Sequence, residues 1–245
     1  MSLKLNKYII VIPFSFFGFL LSGQDAKKDI VGIYNDFLSQ KNYSVTIKYN
    51  LYLNQETSKP YQSREVEMSK NNTKIYLKEN SGIESLNTDR YRLLVNHKKK
   101  LLSVIKVEQN NSNKEAPDLT KFFDSQIDSV FLKFEKIKII INTESLIKYE
   151  CEAKKGFYIS KMWIEIDKKT HMYKSIKTLY SAPRKIKEYG DKKYLLTVEV
   201  IYEGYKKNIN YPETFFDVKK YIIENSKGKI ELKQNYKEYE LLTSE

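Results

Sequence analysis

The sequence has little of the material from which enzyme sites are built. Its 245 residues include one cysteine, two histidines, eight glycines and five prolines. A single thiol excludes an intramolecular disulfide, and two histidines leave few ways to form a histidine-based triad. The chain contains no GxSxG, HExxH or CxxC motif and no glycine-rich loop that would hold a phosphate. We therefore expect no catalytic residue, no metal and no cofactor, in a protein that is not an enzyme.

One stretch nevertheless collects two carboxylates and an imidazole. Glu165, Asp167 and His171 lie close together in MWIEIDKKTHMYKSI, and these residue types bind metals or transfer protons when they converge on one point. The alternation of apolar and polar residues places Glu165 on a strand, Asp167 at the start of a turn and His171 just past it. A structural hairpin is the favoured interpretation, and a hydrolase site is the alternative. Cys151, in the strand-like LIKYECEA, is expected to be a buried and unreactive thiol.

The N-terminus predicts export. Lys4 and Lys7 precede an apolar run from Tyr8 to Leu21, and small residues follow it. This order is typical of a secretory signal peptide, and the run is shorter than the roughly 20 residues that span a bilayer. We expect residues 1–24 to form the signal peptide, with a retained membrane anchor as the alternative. The rest of the chain is then periplasmic and soluble, without a lipobox cysteine for lipid attachment.

The net charge is strongly positive, with 43 Lys and Arg against 31 Asp and Glu, giving +12. A basic chain raises the question of nucleic-acid binding. Here the basic residues are scattered among acidic ones, and no recognised nucleic-acid motif is present. We therefore expect no nucleic-acid partner. Contacts with anionic membrane surfaces or acidic partners would suit the charge, and a generally lysine-rich proteome explains it equally well.

Two segments have the spacing of amphipathic helices. In residues 25–40 the apolar residues recur every three or four positions, and Asp25 is the expected N-cap. The second segment, residues 116–136, has an apolar stripe rich in phenylalanine. Its members are Leu119, Phe122, Phe123, Ile127, Val130, Phe131 and Phe134. Such a stripe has to be covered by other parts of the molecule.

Most of the remaining sequence alternates with period two, as half-buried antiparallel strands do. In SVTIKYNLYL, for example, Val45, Ile47, Tyr49 and Leu51 share one face, and KYLLTVEVIYEGY alternates in the same way. Further strands are predicted at residues 73–78, 90–95, 100–107, 145–151, 157–166, 172–180, 216–223 and 229–242. The sequence therefore predicts a mainly β (α+β) fold with two or more helices. We expect one domain over residues 25–245, with a strongly curved antiparallel sheet or unclosed β-barrel under a helical lid.

The order of these elements points to a known class. An exported start is followed by a helix, a first long strand in KNYSVTIKYNLYL, a hairpin in DRYRLLVNHKKKLLSVIKV and a mid-chain helix. The next hairpin, MWIEIDKKTHMYKSIKTLY, is similar to a strand–Asp–Lys–x–Thr–strand pattern. Over most of residues 25–242 the chain resembles the periplasmic lipoprotein carriers of the Lol type (LolA-like). The resemblance implies an unclosed β-barrel with an apolar cavity that takes the acyl chains of lipoproteins moving between the two membranes.

An apolar sheet face and an apolar helix are sufficient to hold an acyl chain, because each buried methylene contributes about 0.8 kcal/mol without a specific polar residue. We therefore expect a monomeric carrier or binding protein for the acyl chains of lipoproteins or lipids. Its further partners would be transport components of the inner and outer membranes. The predicted cavity wall consists of Val45, Ile47, Tyr49 and Leu51 from the first strand and Phe122, Phe123, Ile127 and Phe131 from the second helix. The alternative is an envelope protein–protein interaction module of the same fold with a packed interior.

Overall fold

The computed structural model describes residues 23–54, 58–107, 132–186, 191–226 and 228–244. In these ranges the chain forms one α-helix, α1 (Gly23–Ser39), and three short 3-10 helices, Glu213–Phe216, Val218–Lys220 and Gln234–Tyr236. The strands are β1 (Asn42–Leu53), β2 (Gln62–Asn71), β3 (Lys74–Glu79), β4 (Ile83–Asn87), β5 (Tyr91–Asn96), β6 (Leu101–Lys106), β7 (Phe134–Asn142), β8 (Leu146–Ala153), β9 (Ile159–Asp167), β10 (Met172–Tyr180), β11 (Arg184–Lys185), β12 (Lys193–Tyr194), β13 (Leu196–Lys207), β14 (Ile222–Glu224), β15 (Ile230–Leu232) and β16 (Glu240–Ser244).

Twelve of these strands form a single sheet, in the order β16-β6-β5-β4-β3-β2-β1-β13-β10-β9-β8-β7. Neighbouring strands are antiparallel, except that β16 runs parallel to β6. Two meanders, β1 to β6 and β7 to β10, account for most of the order, because consecutive strands joined by short turns pair with each other. β7 and β16 are the two edges and do not pair with one another. The fold is therefore the strongly curved, unclosed antiparallel sheet that the sequence predicts.

The two meanders meet where β1 pairs with β13. Between Ser44 and Thr46 of β1, the pairing register with β13 shifts by one residue. Gly204, on β13 at this point, has a φ of 61°, a left-handed conformation that glycine adopts at β-bulges without steric penalty. The bulge allows Tyr205 to approach Tyr43, with ring centroids 5.9 Å apart.

The helix α1 packs on one face of the sheet and covers part of it. We call this whole face the helix face. On this face lie Val45 and Ile47 of β1, and the side chains of β7 to β10 that point to the same side. Ile30 of α1 is completely buried, and its carbonyl accepts a hydrogen bond of 2.9 Å from the Tyr173 hydroxyl. The buried cluster here consists of Ala26, Ile30, Phe134, Tyr149, Cys151, Ile159, Ile164, Ile166 and Tyr173.

The C-terminal part of the chain covers the other half of the sheet, from the opposite side. The pairing register from β1 through β2 to β3 places Tyr76 on the face opposite to Val45. Tyr76 packs edge-on against Phe215, with centroids 5.6 Å apart. The buried cluster on this opposite face consists of Leu86, Tyr91, Leu93, Val95, Leu102, Val104, Phe216, Tyr221 and Ile222. The single sheet thus has two cores, one on each of its faces.

Several boundaries differ from the prediction. The predicted strand at residues 216–223 is wrong: it consists of the end of one 3-10 helix, a second 3-10 helix and the start of β14. The predicted strand at residues 229–242 contains β15, a 3-10 helix and the start of β16. α1 begins at Gly23, so Asp25 lies inside the helix and is not its N-cap. The apolar residues of these C-terminal segments pack onto the sheet as a covering layer. Their alternation alone does not distinguish such a layer from a strand.

The second predicted helix lies mostly outside the described residues. Phe122, Phe123, Ile127 and Phe131 belong to this part, so their place in the cavity wall stays a prediction. Phe134 is described, and its assignment to the helix is wrong because it begins β7 and is buried under α1. No helix in the described part of the chain is both long and apolar enough to cross a membrane.

Cys151 provides a test of the core under α1. The thiol is completely buried on β8, and this burial raises its pKa to about 12. At pH 8 roughly one thiol in ten thousand is then ionised, and the thiolate is the reactive form. We expect the native protein to resist a colorimetric thiol reagent for hours and to react with one equivalent within minutes in guanidinium chloride. Rapid reaction of the native protein would contradict the described packing.

A candidate ligand-binding cavity on the helix face

A cavity of about 350 Å³ opens on the helix face, where the distal end of β1 meets its neighbours. Tyr49 and Leu51 of β1 form its floor, with Val66 of β2 and Val198 of β13 beside them. The register explains this grouping, because Leu51 pairs with Val198 of β13 and with Gln62 of β2. Tyr49 pairs with Arg64, and Val66 lies two residues further along β2 on the same face. The remaining lining residues are Asn50, Gln62, Arg64 and Glu79.

The four predicted wall residues of β1 share one face but divide into two environments. Val45 and Ile47 are buried in a cluster with Tyr43, where they pack against Phe37 of α1 and neighbouring strands. Tyr49 and Leu51 lie beyond the end of this cluster and line the cavity. Tyr49 is 42% exposed. The structure thus places all four on the predicted face, two as packed core and two at the cavity, and their role towards a ligand stays a prediction.

The helix face continues from the cavity across β3 to β6 as a surface with large apolar side chains. Leu94, Ile105 and Leu242 are each 44–45% exposed there, on β5, β6 and β16. Following the register outward from β2, the apolar residues of this surface are Val66, Ile75, Leu77, Ile83, Leu94, Leu101, Ile105 and Leu242. We call them the open apolar surface. None of them belongs to a buried cluster formed by the described residues.

The polar part of the cavity wall contains a charged pair. Arg64 Nε lies 3.9 Å from Glu79 Oε1. With the Gln62 amide oxygen turned towards Arg64, that oxygen accepts hydrogen bonds from Nε at 3.2 Å and from Nη2 at 3.1 Å. The alternation of β2 and β3 puts Arg64 and Glu79 on the same face as Val66. Neither residue was predicted from the sequence as part of a site. The signal in the sequence is a charged residue at a position where the period-two alternation predicts an apolar one.

The structure does not bring Glu165, Asp167 and His171 to one point. Glu165 lies on the face opposite α1 and accepts a hydrogen bond of 2.7 Å from Lys148 Nζ. Asp167 Oδ1 accepts from the backbone N–H groups of Lys169 and Thr170, at 2.8 and 3.0 Å, as in the turns that aspartate commonly initiates. The prediction of a structural hairpin is confirmed. In the described part of the chain, no group of three or more metal-ligating side chains is placed to hold a metal.

His171 lines a second cavity, of about 380 Å³, between the end of α1 and the β9–β10 hairpin. Asp36 of α1 and Gln40, just after the helix, contribute to its wall, as do Tyr205 and Lys207 of β13. The side chain of Gln40 donates to the Asp36 carbonyl at 3.3 Å. Phe37, Met172 and Tyr205 supply the apolar part of the wall, and the wall as a whole is more polar than that of the first cavity.

A polar network that the sequence analysis did not recognise joins the C-terminal layer to the sheet. His97 Nδ1 is hydrogen-bonded to the Tyr239 hydroxyl at 2.9 Å. Its Nε2 lies 3.2 Å from Glu84 Oε1 but does not form a hydrogen bond with it. Tyr221 donates to Glu84 Oε2 at 3.0 Å. Burial, together with the Glu84 carboxylate, raises the pKa of Tyr221 well above its usual range, so its hydroxyl remains a donor. None of these residues lines either cavity. The hydrogen bonds of Tyr239 with His97 and of Tyr221 with Glu84 attach the covering layer to the sheet.

Comparison with known proteins gives matches at the level of structure. No protein family model matches the chain, and no curated protein matches its sequence. Similar solved structures include a domain from Vibrio parahaemolyticus assigned to outer membrane lipoprotein sorting, with 13% identity and a TM-score of 0.31. The match covers 76% of this chain and 95% of the other.

Two further structures are the Mycobacterium tuberculosis lipoprotein LppX and a conserved protein from Thermus thermophilus. LppX is 9% identical, with a TM-score of 0.39, and the match covers 78% of this chain and all of the other. The Thermus protein is 10% identical, with a TM-score of 0.42, and the match covers 90% of this chain and 100% of the other. The lipoprotein-sorting domain is of the class that the sequence resembles. With TM-scores of 0.31 to 0.42, the function of this chain has to be inferred from its own residues.

The role of His171 can be tested by substitution. Its φ of 53° lies in the left-handed region, which glycine and asparagine tolerate and which disfavours alanine and, more strongly, valine. We expect His171→Gly and His171→Asn to leave the free energy of unfolding nearly unchanged, and His171→Ala to lower it by about 1 kcal/mol, as measured by urea denaturation. An equal effect of all three variants would mean that the imidazole, rather than the backbone conformation, is what matters at this position.

Proposed function

We propose that the protein is a non-enzymatic periplasmic carrier or binding protein that shelters the acyl chains of a lipid or lipoprotein on its helix face. The observation that carries this proposal is the continuity of the cavity with the open apolar surface. Beyond Tyr49, Leu51 and Val66 at the cavity, the same face carries Leu77 on β3 and Leu94 on β5, with Ser85 of β4 between them. An acyl chain lying along this path is held by burial of methylenes, at about 0.8 kcal/mol each.

The volume of the cavity is suited to one part of a lipid molecule. Its volume of about 350 Å³ is at the lower end of ligand pockets, which run from roughly 300 to 1,000 Å³. A complete diacyl lipid is larger, so its chains would extend over the open apolar surface. Leu94, Ile105 and Leu242 on neighbouring strands of this face are each 44–45% exposed, and large apolar side chains grouped on one exposed face commonly mark a binding surface.

The alternative is an envelope protein–protein interaction module of the same fold. The opposite face favours this alternative in one respect, because its β8 and β9 region carries ion pairs such as Lys148–Glu165 and Lys161–Glu150, at 2.7 and 3.3 Å. A regular pattern of charges is also what a solvated sheet face needs, whereas apolar side chains exposed on the helix face have no such purpose. The carrier is therefore the function that the geometry supports best.

A matched pair of substitutions tests the cavity. Tyr49→Asp puts a carboxylate at the cavity floor, next to Leu51 and opposite Arg64, where an acyl chain would have to desolvate it. We expect its affinity for a fluorescent fatty-acid probe to fall at least about tenfold, measured by titration at constant ionic strength. Tyr158→Asp is the control, because Tyr158 is 50% exposed, immediately precedes β9 and does not line the cavity. A similar loss in both variants, or in neither, would contradict the assignment of the cavity.

Native mass spectrometry of the protein purified from its own cell envelope tests the proposal without a chosen probe. We expect a bound species with the mass of a lipid or an acylated peptide, which is released when the collision energy is raised. If the protein carries no bound mass and takes up no added lipid, the interaction module replaces the carrier.

A further inference from the structure

The charged pair in the cavity wall is incompletely satisfied. A distance of 3.9 Å between Arg64 Nε and Glu79 Oε1 is too long for a hydrogen bond. In the described part of the chain, Glu79 Oε1 is the only carboxylate oxygen that is buried without a hydrogen-bond partner. The Arg64 side chain is 58% exposed, and two of its nitrogens are engaged by Gln62, so further N–H donors of the guanidinium are open to a ligand.

Three other buried polar atoms of the described residues, Asn42 Oδ1, Ser81 Oγ and His97 Nε2, also lack a partner, but none of them is a carboxylate oxygen. The carboxylates of Glu224 and Glu203 do have close partners. Glu224, which lies 3.7 Å from Arg90, also accepts from Lys106 at 2.8 Å and from the Tyr91 hydroxyl. Lys48 approaches Glu203 to 2.6 Å. A buried acceptor left without a donor costs roughly 1–3 kcal/mol. Glu79 Oε1 is therefore an unsatisfied acceptor in the wall of a cavity, and a bound ligand could supply the missing donor.

The charges select among lipid head groups. An anionic head would gain from Arg64 but would face the carboxylate of Glu79, and a head with only a positive charge would face the guanidinium. A head that carries both charges a few ångströms apart matches both residues. The acceptor at Glu79 lacks a hydrogen-bond donor, which a primary ammonium has and a quaternary ammonium does not.

We propose that the cavity binds the head group of an ethanolamine-type phospholipid, with the phosphate on Arg64 and the primary ammonium on Glu79. This inference rests on the proposed function, since it assigns the polar end of the same ligand whose acyl chains lie over the apolar residues. Gln62 holds the guanidinium by two hydrogen bonds and so positions it for the phosphate. Hydrogen bonds between charged groups are the stronger kind, and they fix orientation as well as affinity.

The experiment compares four lipids with identical acyl chains, each presented in detergent micelles: phosphatidylethanolamine, phosphatidylcholine, phosphatidylglycerol and diacylglycerol. We expect phosphatidylethanolamine to bind roughly tenfold or more tightly than the other three, as expected for one added charge-assisted hydrogen bond. Arg64→Gln and Glu79→Gln should each remove that preference while diacylglycerol still binds. Arg90→Gln is the matched control, because it removes a similarly exposed arginine that is paired with a glutamate outside the cavity.

The outcomes separate the two proposals. Equal binding of all four lipids, or a preference that survives both cavity variants, would overturn the head-group assignment and leave the acyl-chain carrier standing. A preference for phosphatidylglycerol that Glu79→Gln strengthens would likewise overturn it, in favour of a simple anion site at Arg64. Failure of every lipid to bind to the folded protein would overturn the carrier and the head-group assignment together. Circular dichroism of each variant establishes that it is folded.

Discussion

The pairing of β1 with β13 is the contact on which the rest of the structure depends. It joins the two meanders across a long sequence separation, from Tyr43 opposite Lys207 to Leu53 opposite Leu196, so its formation requires the entropically unfavourable closure of a long loop. Ten paired positions and a hydrogen bond of 2.8 Å from Tyr52 to Glu199 stabilise this seam. Without it the chain would form two separate sheets, each with an extra edge. The cavity lies directly on the seam, with Leu51 on one strand and Val198 on the other.

The sheet is too wide for one helix to cover, which explains why its two cores lie on opposite faces. The 17 residues of α1 extend about 25 Å, whereas twelve strands placed side by side extend about 50 Å. One helix therefore covers only the half formed by β7 to β10, β13 and the start of β1. The C-terminal segment covers the β3 to β6 half from the other side, where the Glu84–His97–Tyr239 network holds it. The consequence is that the helix face of β3 to β6 keeps apolar residues, such as Leu94 and Ile105, that no described cluster includes.

Much of this could be predicted from the sequence, because alternation is a local property. The faces of β1 and β13, the hairpin at Asp167 and the burial of Cys151 all follow from period-two patterns and turn residues. What could not be predicted depends on packing between distant segments. Phe216 and Tyr221 alternate as in a strand but belong to a covering layer, and the partners of His97 come from β4 and the C-terminus. The division of Val45 and Leu51 between core and cavity is set by where α1 ends, which the pattern of β1 does not encode.

Arg64 and Glu79 are the residues at which the local pattern and the global structure disagree. Both occupy positions on the helix face where Val66 and Leu77, their neighbours on the same strands, are apolar. An ion pair that is partly removed from water and lacks ideal geometry adds little stability, and replacing such a pair with apolar residues is often neutral or stabilising. Departures from local consistency are expected mainly at functional sites, where the loss of stability is offset by a gain in binding. The pair is thus better explained by what enters the cavity than by the folding of the sheet. It makes this end of β1 a more informative place to search for the ligand than the open apolar surface beyond it.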